Sequence, residues 1–92
     1  MENQAQKWVI ESVRLDGKRF RPSDWIERIS ANMGSFGADH RLHYSKSVYP
    51  CVVDGEKCLM VDGRLKVEDP IGYEYIMSFA RINGLRSHPL DG

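Results

Sequence analysis

Two cysteines and two histidines are the side chains of this sequence that could do catalytic or metal chemistry. Cys51 and Cys58 flank one Asp-Gly pair, and His40 and His43 lie three residues apart. Cysteine and histidine are common zinc ligands, and cysteine pairs also carry redox reactions. The four residues match no recognised ligand spacing, and the cysteines do not form a C-x-x-C motif. Buried, structural cysteines are therefore expected, and an enzyme or metal site ranks as the third hypothesis.

The register of the hairpin around Asp54-Gly55 decides how the two thiols are arranged. A two-residue type I′ turn pairs Cys51 with Cys58 at the Cα spacing of a hydrogen-bonded pair, about 5.5 Å. A three-residue loop with Gly55 in the left-handed conformation moves Cys51 opposite Lys57 instead. The sequence leaves both registers open. In a reducing compartment we expect both thiols to be free in either case.

Three arginines near the first predicted turn form a candidate ligand-binding face. If Asp16-Gly17 is a two-residue turn, Val13 pairs with Phe20 and Arg14 lies opposite Arg19. Like charges directly across a strand pair are unfavourable, so such a cluster needs a counter-charge. That counter-charge could come from an anionic ligand.

The segment after these arginines has the signals of a helix start. Arg21 leads into Ser23-Asp24, and free N–H groups at a helix N-terminus favour an anion. The alternative is that Asp24 and Glu27 already satisfy this terminus and that the arginines are solvated or paired with these two acids. The predicted set for a phosphate ligand or a nucleic acid is Arg14, Arg19, Arg21 and Ser23.

Length and composition predict a single domain over residues 1–92. An apolar fraction of 41% supports one modest core, with ordered residues at about 7–85 and polar tails at 1–6 and 86–92. The 13 basic and 13 acidic residues cancel, so nucleic acid is not favoured as a partner. No apolar run precedes Trp8 and no later stretch is long enough for a membrane span. We expect a cytoplasmic protein with no membrane contact and, since cofactor motifs are missing, no cofactor.

Hydrophobic periodicity and turn residues predict an α+β fold, a small antiparallel sheet of hairpins with two helices packed on one face. Trp25 and Phe79 are expected to anchor the two helices to the sheet. The predicted strands are Trp8 to Leu15, Lys18 to Arg21, Arg41 to Tyr44, Val48 to Val53 and Lys57 to Val61. The predicted helices run from Ser23 or Asp24 to about Met33, and from an Asp69 cap with Pro70 to Asn83-Gly84.

The last helix carries more apolar residues than one face can hold. A buried half centred on Phe79 contains Ile71, Tyr75, Ile76, Phe79, Ala80 and Ile82. Tyr73 and Met77 then lie outside that half, four residues apart. We predict that these two side chains are exposed and contribute to an interface with a protein partner or with a second copy of the chain.

Four segments of the sequence resemble a family of small bacterial proteins catalogued as domain of unknown function 3579. They are GKRFRPSDWIER (Gly17 to Arg28), YSKSVYP (Tyr44 to Pro50), VDGEKCLMVD (Val53 to Asp62), and DP followed by FARINGL (Phe79 to Leu85). The resemblance implies a bacterial cytosolic protein of α+β form, and it transfers no catalytic residue, ligand or partner.

The preferred hypothesis for function is a small non-enzymatic binding or regulatory module that acts through protein–protein contacts. The chain has enough apolar residues for a core, no catalytic constellation, and aromatic residues beyond the needs of that core. The second hypothesis is a nucleic-acid or phosphate-ligand binder that uses the arginine face.

Overall fold

A computed structural model describes residues 6–21, 24–36 and 38–90, and these residues form six strands and three helices in the order β1, α1, β2 to β5, α2, α3 and β6. Four strands form an antiparallel sheet in the order β4-β5-β1-β6, and β2 and β3 form a separate pair. The fold is α+β, as predicted. The elements are β1 (Lys7–Arg14), α1 (Trp25–Met33), β2 (Ser35–Phe36), β3 (Leu42–His43), β4 (Val48–Val53), β5 (Glu56–Asp62), α2 (Leu65–Glu68), α3 (Pro70–Ile82) and β6 (Leu85–Pro89).

The β4-β5 hairpin has the two-residue turn. Asp54 and Gly55 have φ angles of 53° and 80°, as a type I′ turn requires. Cys51 therefore pairs directly with Cys58, which resolves the two registers that the sequence left open. Pro50 lies in β4, at an edge of the sheet, where its missing N–H costs no ladder hydrogen bond, as expected.

The turn after β1 differs from the prediction by one residue. Val13 pairs with Arg19 and not with Phe20, and Arg14 N donates to Lys18 O at 2.8 Å. The loop is three residues long because Gly17, with a φ of 88°, takes the left-handed position. Arg14 and Arg19 are therefore not directly opposed, so the predicted repulsion between them is not a feature of this hairpin.

Both long helices pack on one face of the sheet. A core cluster joins Ile26 of α1 and Ile76 of α3 to Ile10, Leu59 and Val61 of the strands. Phe20, Trp25 and Phe79 pack together at its margin, with ring centroids 5.3 to 6.3 Å apart. A smaller cluster of Val9, Cys58 and Met60 lies apart from that core. Among the described residues, no helix has the length and apolar character needed to cross a bilayer.

The buried face of α3 is rotated away from the predicted one. Ile76 and Ala80 are buried, and Tyr73 and Met77, predicted to be exposed, are half-buried and pack on the core. The buried Gly72 marks the packed side of the helix, since a Cβ at this position would meet the end of the Met33 side chain and the Asp69 carboxylate. Ile71, Tyr75 and Ile82 lie on the other side and are exposed.

The chain continues as a strand where a polar tail was predicted. Leu85–Pro89 forms β6 and pairs with β1, with Val9 opposite His88 and Ile10 opposite Ser87. Arg86, Ser87 and His88 have no apolar pattern, so hydropathy gave no sign of a strand. Main-chain pairing with an open edge of β1 holds them, which corrects the boundary drawn at residue 85.

Candidate functional site

Three large apolar side chains on the solvent side of α3 are the most exposed apolar feature of that helix. Ile71, Tyr75 and Ile82 are 83%, 52% and 77% exposed. Ser78 completes the spacing of four, three and four residues that places side chains on one helical face. We call Ile71, Tyr75, Ser78 and Ile82 the outer stripe. In the preceding short helix, Val67 is also exposed, at 86%.

Opposite charges lie along one flank of the outer stripe. Glu74 and Arg81 are exposed and are separated by seven residues, about 10 Å along the helix, which is too far for a direct ion pair. Within the part of the chain that the structure describes, neither has an oppositely charged side chain within 4.0 Å. The stripe therefore has exposed apolar side chains and a flank with one acidic and one basic group, and the Arg81 guanidinium also donates to the half-buried Ser78 hydroxyl at 3.5 Å.

Two of the predicted ligand-binding arginines have acidic partners within the chain. Both terminal guanidinium nitrogens of Arg19 donate to the Glu56 carboxylate, at 2.6 and 3.3 Å. Arg14 Nε lies 4.0 Å from Asp16 Oδ2. The hydrogen bond and the charge of Glu56 raise the pKa of Arg19. The same contact lowers the pKa of Glu56, with a smaller contribution from Arg21. Internal counter-charges are therefore present, but Glu56 and Asp16 provide them, and Asp24 and Glu27 pair with other residues.

A small depression brings together two of the three predicted arginines. Its volume is about 80 Å³. Among its cations, Arg19 is bound to Glu56, and Lys57 is bound to Glu27 at 2.6 Å. Arg21 has no acidic partner within 4.0 Å among residues 6–21, 24–36 and 38–90. The depression is lined by Ser12, Arg19, Phe20, Arg21, Glu56 and Lys57.

At the helix start beyond Arg21, Asp24 does not cap the helix with its side chain. Asp24 makes no side-chain capping hydrogen bond and binds Arg28 at 3.0 Å, while Glu27 binds Lys57. Ser23, the fourth predicted ligand-binding residue, lies outside the described residues. The predicted anion site thus reduces to Arg21 beside two paired cations.

The cysteines and histidines are not arranged for metal chemistry. Across the described residues, no three or more His, Cys, Asp or Glu side chains are grouped so that they could hold a metal ion. The His43 Nε2 atom instead lies 3.2 Å from Asp39 Oδ1. Asp39 directly precedes His40 in the loop before β3.

Burial keeps both thiols protonated at neutral pH. It raises the pKa of Cys51 and, together with the nearby Cys51 and Glu11, raises the pKa of Cys58 to about 11. The thiolate is the reactive species, so both thiols are poor nucleophiles in this environment.

The family of the chain follows from its match to a family model. Residues 4–89 match the model described as "Protein of unknown function (DUF3579)". The chain belongs to this DUF3579 family. A solution structure described as the first structural representative of its family shares the fold, with a TM-score of 0.86 and 38% sequence identity. The alignment covers 99% of this DUF3579 chain and 84% of that chain. No curated protein matches the chain.

Sequence reasoning assigned the three apolar members of the outer stripe, Ile71, Tyr75 and Ile82, to the core. Ile71, Tyr75 and Ile82 share a face by helical spacing, but Tyr73, Ile76 and Met77 form a second apolar face on the same helix. Periodicity alone cannot rank two apolar faces. Gly72 was the usable signal, because a glycine inside a helix commonly marks close packing against a neighbouring element.

Proposed function

We propose that this DUF3579 protein is a cytoplasmic, non-enzymatic binding module that acts through protein–protein contacts, with the outer stripe as its contact surface. One observation supports this proposal most strongly. Ile71, Tyr75 and Ile82 form a solvent-exposed apolar row on a helix whose other face is already packed in the core. Single exposed apolar residues are ordinary, whereas aligned ones on a rigid element are typical of recognition surfaces.

The chemistry of the remaining polar groups favours binding over catalysis. The thiols have raised pKa values. The carboxylates of Glu56, Glu27 and Asp62 are each paired with a basic side chain. Asp62, for example, is buried and binds both the main-chain N and the guanidinium of Arg64. That arrangement stabilises the turn after β5 and leaves the carboxylate no free position for a substrate.

Site-specific photo-crosslinking tests the proposal. A photo-reactive phenylalanine analogue replaces Tyr75 in one sample and Val52 in the matched control, because Val52 is 71% exposed on the edge strand β4. Position 75 is expected to give discrete protein adducts in cells and position 52 few or none. Addition of Ile71→Ser and Ile82→Ser to the position-75 protein is expected to remove those adducts. Equal adducts from positions 75 and 52 would contradict the proposal.

A phosphate-type ligand at the depression is a second proposal, supported by the position of Arg21. This cation lies beside the depression and lacks an acidic partner among the described residues, although the Glu56 carboxylate also lines the site. Amide chemical shifts of Arg19 to Arg21 during titration with inorganic phosphate and with an oligonucleotide test it. Shifts that vanish in Arg21→Ser support the proposal, and unchanged shifts in both titrations contradict it.

A further inference from the structure

We propose that the partner of the outer stripe is the outer stripe of a second copy of this chain, packed antiparallel across a two-fold axis. The inference rests on the proposed function, since it names the occupant of the same surface. It follows from the spacing of the apolar residues, the position of one small residue, and the charges on the flank.

The apolar residues are spaced symmetrically along α3. The midpoint between Ile71 and Ile82 falls between residues 76 and 77, and the midpoint between Tyr75 and Ser78 falls at the same place. A two-fold axis through this point brings Ile71 of one copy onto Ile82 of the other, and Tyr75 onto Ser78. A homodimeric interface of this type requires a surface that is complementary to itself.

The sizes of the two central residues, Tyr75 and Ser78, favour close contact between the two helices. Tyr75 is the bulkiest member of the stripe and Ser78, which is half-buried, the smallest, so the ring of one copy packs over the serine of the other as Arg81 exchanges its 3.5 Å contact with Ser78 for the carboxylate across the axis. Two such contacts lie at the centre, and an Ile71–Ile82 contact lies at each end. Packing of large against small side chains is how adjacent helices interdigitate.

The flanking charges have the same symmetry. A two-fold axis perpendicular to two antiparallel helices places the same flank of both on one side, so Glu74 of each copy faces Arg81 of the other. The two side chains are offset by two residues along the axis, roughly 3 Å, which both side chains can span. Two reciprocal ion pairs form, between charges that are too far apart to pair within one helix.

The contact area sets the expected strength. One helix of 13 residues provides the surface, which puts the interface in the small class that buries less than about 1,200 Å² and associates weakly. The dimer is therefore expected to dissociate on dilution, and like charges placed across it are expected to weaken association strongly.

Charge reversal on the purified protein tests the inference. Sedimentation equilibrium over about a hundredfold range of concentration is expected to show a reversible monomer–dimer equilibrium. Glu74→Arg places like charges at both reciprocal positions and is expected to weaken association at least tenfold, about 1.4 kcal/mol. Arg81→Glu is expected to do the same. The double variant Glu74→Arg, Arg81→Glu restores opposite charges and is expected to recover association within about threefold of the natural chain.

Each outcome decides between the inference and its alternatives. Both positions are exposed, so circular dichroism and unfolding midpoints are expected to be unchanged, and a loss of association then reports on the interface. A dimer that the charge variants do not affect, or that the double variant does not restore, overturns the antiparallel arrangement. A monomer at every concentration overturns the inference alone if position 75 still crosslinks to other proteins. A monomer without such adducts overturns the proposed function as well.

Discussion

Trp25 Nε1 donates a hydrogen bond to Ser12 Oγ over 2.9 Å, and the Ser12 hydroxyl in turn donates to the Phe20 carbonyl oxygen over 2.9 Å. One hydroxyl group thereby joins the first turn of α1, the strand β1 and the segment that returns from the β1 turn. Trp25 is only 6% exposed, so water cannot readily replace this acceptor. The bond fixes α1 on the sheet at the position where Phe20 and Phe79 meet the indole.

Removal of this hydroxyl tests that link. Ser12→Ala is expected to lower the free energy of unfolding by about 1–3 kcal/mol, because a largely buried indole N–H and a carbonyl oxygen lose their partner. Urea unfolding followed by tryptophan fluorescence measures the change. Ser87→Ala in β6 is the matched control, expected to stay within about 0.5 kcal/mol because Ser87 is exposed. Equal losses of unfolding free energy in Ser12→Ala and Ser87→Ala would contradict a stabilising role for the Ser12 hydrogen bonds.

Loss of the aromatic rings is expected to have a larger effect. Trp25→Ala should cost about 3–5 kcal/mol, and Phe79→Ala less, because Phe79 is only half-buried. A loss of this size is a large part of the stability of a small domain. If Trp25→Ala does not fold, Trp25→Phe keeps most of the ring packing and isolates the missing N–H donor. Stability equal to that of Val52→Ala would contradict the role of Trp25 as an anchor.

The two helix starts form a natural pair for comparison. Asp69 accepts a hydrogen bond from Gly72 N at 3.0 Å, whereas Asp24 makes no capping bond and only an exposed ion pair with Arg28. Asp69→Ala is therefore expected to lower the free energy of unfolding by about 0.5–2 kcal/mol. Asp24→Ala is expected to change it by less than about 0.5 kcal/mol. Chemical denaturation of both variants measures the difference, and a reversed order would contradict the assignment of the cap.

The pKa of Cys58 predicts a loss of stability at high pH. The ordinary value is 9.0 and the folded value is about 11, so the unfolded chain releases this proton first as the pH rises. The contribution is fully present below pH 9.0 and is lost as the pH approaches 11. Cys58→Ala is expected to show a shallower fall of unfolding free energy across this range than the natural chain. Parallel pH profiles would contradict the raised pKa.

Thiol reactivity gives an independent check of the same environment. At neutral pH the folded protein is expected to react slowly with a disulfide reagent, and faster at Cys51 than at the more deeply buried Cys58. After denaturation under reducing conditions, both thiols of the chain should titrate. Fast reaction of Cys58 in the folded state would show that its thiol is more accessible than the structure indicates.

The sequence predicted those parts of the fold that local signals specify. Asp69 with Pro70 predicted the start of α3, and Asp54-Gly55 predicted the position of its turn although not its register, since such residues act on their own backbone. The register predicted for the turn at Asp16-Gly17 was wrong by one residue. The prediction gave more weight to an apolar Val13–Phe20 pair than to the preference of Gly17 for the left-handed position. Strand β6 was missed because it depends on pairing with a distant strand.

The candidate site was harder to predict because it depends on how α3 and the charged side chains are oriented relative to distant parts of the chain. The arginines were candidates from the sequence, but the pairing of Arg19 with Glu56 joins residues 37 positions apart, which no local pattern contains. Tyr73 and Met77 were expected outside the core, but both are half-buried and pack on it, because burial depends on how α3 lies on the sheet. The excess of apolar residues on α3 indicated that one apolar face would remain exposed, and the exposed residues are Ile71, Tyr75 and Ile82. An interface at this helix stays a prediction.

The order of strands in the sheet has a consequence for how the protein behaves when it is concentrated. β4 and β6 are the two edge strands, and each contains a proline, Pro50 in β4 and Pro89 in β6. A proline offers no N–H to a neighbouring chain, so neither edge can template a continuous ladder. Addition of a strand from another molecule is thereby made less favourable at both edges of this sheet.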